Sequence, residues 1–433
     1  MSDAALLPLA EARKLPPEEL VQACRARIAQ WQPKINAFIE IERQRARGIP
    51  LAHKDMFYRA GRVSSCGSKI LRDFVPHQTS AALERLDRAG YADLGRLNMS
   101  EFAYGPTGHN EHWGDCRNPW NPDYITGGSS SGSGAAVAAR CVFGALGSDT
   151  GGSVRLPAAA CGVTGVKTTW GLVSRHGAMP LSHSLDTIGP LARSTEDCAL
   201  LLQEIAGHDA RDSITTLEPI ADYSKDAPFR VAISSEWIER NSHPEVAAAV
   251  LAAAKVFNNV VEVKAPDFDT LSAHCLVVMS AEAAAQHIGW MRERPQDYSP
   301  AVRARLESGY AIPATTYLEV LRARGAWLER FCAEQLVNAD VYALPGIAVR
   351  LPTREQTGPK GGPDMPKLLG EMTRLTRWVN YLGVPALVLP CGFDSRGLPI
   401  SLQLVARPFA EATLFSAGRA YQRATAWHRR IPV

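Results

Sequence analysis

The chain of 433 residues contains no run of Lys and Arg, and its formal net charge is only +3. It therefore lacks the basic footprint expected for nucleic acid or an anionic membrane surface. No apolar run approaches the roughly 18 residues of a membrane span. The apolar stretch from Ala4 to Ala10 is short, has no basic region before it and runs into charged residues, so a secretory leader is not expected. Nine cysteines, an odd number, include no C-x-x-C pair. That disfavours a disulfide framework or a zinc site and points to reduced thiols in a cytoplasmic protein. Nucleotide motifs are missing as well. In Gly165-Val166-Lys167-Thr168 a residue separates the glycine from the lysine of a phosphate loop, and Val137 stands where G-x-G-x-x-G needs its third glycine after Gly132-Ser133-Gly134. No internal repeat is present.

What remains is an ordinary globular composition, 46% hydrophobic and 21% charged. Helical spacing is read over 18–30, 80–89, 195–206, 244–257, 315–337, 367–381 and 411–425. Strands are read over 35–41, 49–53, 229–234, 260–263, 341–344, 386–389 and 401–405, which places Lys54 at a strand end. This alternation predicts an α/β protein with helices covering a mixed sheet. Pro352 to Pro366, rich in Gly, Pro, Lys and Asp, reads as a mobile loop.

The chemistry concentrates in two glycine-serine loops, Gly127-Gly128-Ser129-Ser130-Ser131-Gly132-Ser133-Gly134 and Asp149-Thr150-Gly151-Gly152-Ser153-Val154-Arg155-Leu156-Pro157. A flexible linker has similar composition, but the apolar run from Ala135 to Leu146 between them reads as buried structure. Gly128 to Gly132 matches G-x-S-x-G with Ser130 central, yet a nucleophile elbow must follow a buried strand. Pro119 and Pro122 make the preceding segment a poor one. His109, Glu111, His112, Asp115 and Cys116 cluster in sequence, but their spacing fits no common zinc motif and suits a polar loop. A serine activated by lysine is the remaining option. An ordinary lysine, with a pKa near 10.4, is protonated at neutral pH, and burial at a strand end can lower that value enough to make Lys54 a base.

These residues resemble the amidase signature family of serine amide hydrolases. Ser153 stands 24 positions after Ser129, and Ser129 stands 75 after Lys54, in the family's manner. Asn98-Met99-Ser100-Glu101-Phe102, Arg117-Asn118-Pro119-Trp120, Cys161-Gly162-Val163, Leu185-Asp186-Thr187-Ile188-Gly189-Pro190 and Pro399-Ile400-Ser401-Leu402-Gln403 also look like family segments. The resemblance implies one amidase domain over 1–433, with a lead-in over 1–50, a signature core over 51–205 and a sheet-completing, pocket-forming region over 206–433. It implies a single large mixed sheet covered by helices on both faces. Ser153 would be the nucleophile, Ser129 the bridging serine in a cis peptide with Gly128, and Lys54 the terminal base. The backbone amides of Thr150, Gly151, Gly152 and Ser153 would form the oxyanion hole, and Phe102 and Gly128 would contribute to the acyl pocket. Asp149 and Arg155 are expected to brace the loop by ion pairing, with Ser130, Ser131 and Ser133 as hydrogen-bonding support and contact with the leaving group as the alternative for Ser130.

Leu156 stands where relatives that bind charged or polar acyl groups can carry Arg or Gln, which points to a small or medium uncharged amide, carbamate, urea, hydrazide or aryl amide. The expected partner is that small molecule alone, with no nucleic acid, membrane, metal or organic cofactor, and with self-association into a homodimer as the further option. The alternative is a glutamine-hydrolysing subunit of a tRNA-dependent amidotransferase, from which Leu156 and the triple serine depart. Retention of all three catalytic side chains argues against a non-catalytic scaffold.

Overall fold

A computed structural model describes residues 3–42, 47–359 and 361–433. Within them eleven strands form one sheet: β1 Phe38–Ile41, β2 Ile49–Lys54, β3 Tyr91–Leu97, β4 Gly144–Asp149, β5 Thr164–Lys167, β6 Thr187–Ala192, β7 Val231–Ile233, β8 Val260–Glu262, β9 Val341–Pro345, β10 Ala386–Phe393 and β11 Pro399–Ala406. Their spatial order is β1-β3-β2-β4-β6-β5-β10-β11-β9-β7-β8. β2 runs parallel to β3 and β4, and β7 parallel to β8 and β9, whereas the strands from β4 through β11 to β9 pair antiparallel. Central strands β4, β6 and β11 are buried at every residue. Such strands need cover on both faces, and helices supply it, fourteen of them among the described residues.

Every helix read from periodicity is present, with ends that capping explains. Ser80 accepts from Leu83 N–H at the start of Ala81–Arg88, and Ser194 accepts from Asp197 N–H before Thr195–Ile205. The sequence reading leaves out β3 to β6 and the long helix Phe268–Glu293. β4, with the sequence GALGSD, and β6, with TIGPLA, are rich in small residues and lack a regular apolar-polar alternation, and only Thr187 and Ile188 among them are β-branched. Close strand approach explains part of this, since a Cβ on Gly189 would lie 1.8 Å from the Val166 carbonyl oxygen. Helix 268–293 touches helices 300–309, 314–334 and 365–382, so its apolar residues do not gather into one stripe.

The expected mobile loop after Pro352 instead carries a capped helical turn, Arg354–Thr357, with Arg354 paired to Asp115 at 3.0 Å. Lys360, within that segment, lies outside the described residues. The consequence of the topology for function is local. β2 and β4 are parallel neighbours, so Lys54 and Asp149, their last residues, emerge on the same edge of the sheet. The serine-rich helix Ser131–Ala138 packs on β4 and on helix Arg155–Cys161. Small residues permit that approach, because a Cβ on Gly134 would already come within 2.9 Å of the Pro157 carbonyl oxygen.

Candidate active site

Lys54 is 1% exposed, and its Nζ lies 2.6 Å from Ser129 Oγ and 2.8 Å from Ser148 Oγ. Burial pulls the ammonium down from 10.5 to about 7, while Asp186 and Asp149 act in the opposite direction. A substantial neutral fraction therefore exists at neutral pH, which is what a proton acceptor requires. The peptide between Gly128 and Ser129 is cis. Ser129 is fully buried, whereas Ser153 retains 9% exposure and faces a cavity. The two serine loops are joined by the N–H of Ser130, which donates to the Ser153 carbonyl at 3.2 Å. No direct bond links the Ser129 and Ser153 hydroxyls among the described residues. Ser130, Ser131 and Ser133 donate to the carbonyls of Ser148, Asn98 and Leu146, consistent with support and not with contact to a leaving group.

Asp149 organises the second loop. Its carboxylate accepts from the N–H groups of Gly152 at 2.8 Å, Val154 at 3.1 Å and Arg155 at 3.3 Å. The Arg155 guanidinium closes on both oxygens at 3.1 and 3.0 Å, and also reaches Gln403 and Asn380. Burial, the largest single influence, raises the Asp149 carboxyl, but Arg155, with help from Lys167 and Asn380, more than offsets it and holds the group at about 2. The predicted brace is therefore present, and it corrects the oxyanion hole. Gly152 N–H is already committed to Asp149 and cannot also serve a substrate oxygen. Thr150, Gly151 and Ser153 have amides with no acceptor among the described residues, and all three residues line the cavity.

That cavity measures about 340 Å³ and is lined by Tyr104, Leu156, Met279, Ser280, Arg305 and Arg377 around Ser153. It adjoins a larger one of about 1190 Å³, with Tyr104, Gly105 and Arg305 shared between them. Neither Phe102 nor Gly128 lines the cavity beside Ser153, contrary to expectation. Phe102 is core, stacked at 5.5 Å on Trp290 and edge-on at 4.5 Å to His287. Gly128 is confined by its neighbours, since a Cβ there would meet the Gly105 carbonyl oxygen at 2.6 Å. Tyr104, two positions after Phe102, is the aromatic that reaches the cavity. Leu156 does line it, as predicted, but Arg305 and Arg377 bring the charge that Leu156 lacks. Nothing in the sequence distinguishes these two from surface arginines on amphipathic helices. The histidines of the 109–116 cluster are spoken for: His109 contacts Asp115 and Thr357, and His112 contacts Glu101.

The amidase family model matches residues 19–415. The chain is 37% identical to a glutamyl-tRNA(Gln) amidotransferase subunit of Thermosynechococcus vestitus, with 96% of both chains covered. Among solved structures it resembles, at 32% identity and a TM-score of 0.88, a chain from a vestigial protein complex connected with the origins of an s-triazine catabolic enzyme, covering 96% of this chain and 98% of that one. The corresponding glutamyl-tRNA(Gln) amidotransferase chain of Thermotoga maritima is similar at 29% identity and a TM-score of 0.85, with 100% and 98% covered. This chain belongs to the amidase family and is an enzyme acting on amides. One expectation is overturned by these relatives, that of a chain serving a small molecule alone or only pairing with itself. They are named as one subunit of an amidotransferase or stand in a protein complex. No helix among the described residues is long and apolar enough to cross a membrane.

Proposed function

We propose that this chain is the amide-hydrolysing subunit of a protein assembly, in which Ser153 attacks the amide carbonyl, Ser129 bridges the proton and Lys54 is the terminal base. The observation that supports this most is the buried lysine within 2.6 Å of Ser129 Oγ, on the sheet edge from which the Ser153 loop departs. Neutral Lys54 takes a proton from Ser129 as Ser129 takes one from Ser153, and the carbonyl oxygen moves toward the free amides of Thr150, Gly151 and Ser153. Reversing the relay delivers a proton to the leaving nitrogen, the C–N bond breaks, and water then releases the acyl group. The names of the relatives support glutamine as the first amide to assay, with ammonia passed to a second protein.

The test is ammonia release from glutamine and from simple primary amides by the purified chain, followed as a function of pH. With Lys54 as base, kcat/KM should climb through about pH 7 and level off above it. A profile that stays flat down to pH 5 would remove Lys54 from the base role.

A further inference from the structure

The cavity beside Ser153 carries charge of one sign. Arg305 and Arg377 both line it, and among the described residues no Asp, Glu, Lys or His does. Elsewhere the well-buried arginines are answered. Arg155 and Arg96 meet the carboxylates of Asp149 and Asp55, and Arg193, Arg140 and Arg324 donate to backbone carbonyls. Arg305 donates once, to the Tyr104 carbonyl at 2.9 Å. Arg377 has no hydrogen bond or ion pair among the described residues, although it is only partly exposed. Its stem runs beside the oxyanion loop, where a Cβ on Gly151 would lie 3.6 Å from Arg377 Cγ. Two guanidinium groups gathered in a partly apolar recess, between Leu156, Leu181 and Met279, repel each other and are only partly compensated, by the Tyr104 carbonyl and residual solvent, until an anion arrives. A guanidinium offers five donors in a planar fork that matches a carboxylate.

We infer that Arg377, with Arg305, forms a carboxylate-binding subsite, and that the substrate is a small amide bearing a carboxylate at its acyl end with no ammonium beside it. This rests on the amide-hydrolase reading above and narrows it. Water adding across the C–N bond of such a substrate leaves a dicarboxylate and an amine or ammonia. An ammonium on the same fragment, held in this cavity, would face two cations and no acid among the described residues, the carboxylates of Glu101, Glu111, Asp115, Asp123 and Glu355 lining only the adjoining larger cavity, so glutamine is a poorer fit than the same molecule without its α-amino group. The uncharged amide suggested by Leu156 leaves both guanidinium groups unanswered.

Binding to Ser153→Ala protein tests the subsite without requiring chemistry, so its outcome is separate from whether Ser153 is the nucleophile. Calorimetric titrations would use malonamate, succinamate and glutaramate, the methyl ester of each, and glutamine. At least one of the three anions should bind about tenfold or more tighter than its ester, and glutaramate should bind tighter than glutamine. Adding Arg377→Met should abolish the anion's advantage at an unchanged melting temperature. If that protein does not fold, Arg377→Gln and Arg305→Met should each reduce the advantage. Equal binding of acids and esters, no binding of any anion, tighter glutamine than glutaramate, or an advantage that survives the arginine substitutions would overturn the subsite. Anion binding without turnover of any amide would instead leave the subsite standing and sink the hydrolase reading.

Discussion

Lys54→Met should lower turnover by about 10³ or more while the protein melts no lower than wild type. The rate loss is the size expected for removal of a positioned general base. The stability half follows from the sign of the pKa shift. In the unfolded chain the lysine titrates near 10.4, and in the folded protein burial brings it to about 7. The unfolded state therefore binds the proton more tightly, and folding carries a cost of a few kcal/mol at neutral pH and below. That cost shrinks as pH rises from about 7 to 10.5, so wild-type stability should gain on that of Lys54→Met across the same interval. Melting curves of both proteins between pH 6 and 10 measure this directly. A folded Lys54→Met with near wild-type turnover would show that the base lies elsewhere. Among the described residues no histidine lines the cavity to replace it.

Arg155→Met should be the most destabilising single change near the site, at about 3 to 5 kcal/mol, because it strands a buried carboxylate. Asp149 and Arg155 are both fully buried, and the Asp149 carboxyl sits near 2 through Arg155 despite its burial. Its folded value is below the unfolded one, so the stability it contributes is present above about pH 4 and is lost as pH falls toward 2. Without Arg155 that contribution disappears at neutral pH. The Gly152, Val154 and Arg155 amides are then held by a carboxylate driven toward protonation, so activity should fall with stability. Denaturant unfolding of Arg155→Met and of Asp149→Asn/Arg155→Met checks the cause. The double variant should recover part of the loss, since it no longer buries an unpaired charge, whereas equal losses would assign the effect to packing instead.

Much of the candidate site was legible because it is local. The glycines and serines of 127–134 and 149–157, and a lysine ending an apolar strand, are patterns in contiguous sequence. The brace between Asp149 and Arg155 was readable for the same reason. The cavity beside Ser153 was not, because it is assembled from distant segments, with Arg305 and Arg377 on separate helices and Tyr104 on a loop. The commitment of Gly152 N–H to Asp149 was also hidden, since it depends on which way one amide turns. In the fold, β4 and β6 escaped because they are buried on both faces and so lack the alternation that betrays a half-buried strand, and because Gly, Ala and Pro interrupt the continuous branched apolar run that would otherwise mark them. The same crowding explains Gly128, which looked like a pocket residue but is small because Gly105 and Gly108 leave no room for a side chain.

Covalent trapping followed by peptide mass spectrometry addresses the Ser153–Ser129–Lys54 relay most directly. Treatment with a fluorophosphonate should place one adduct on the wild-type chain, at Ser153. It should be absent from Ser153→Ala and much slower to form in Lys54→Met. An adduct mapped to Ser129 or Ser130, or labelling that persists unchanged in Ser153→Ala, would contradict the relay.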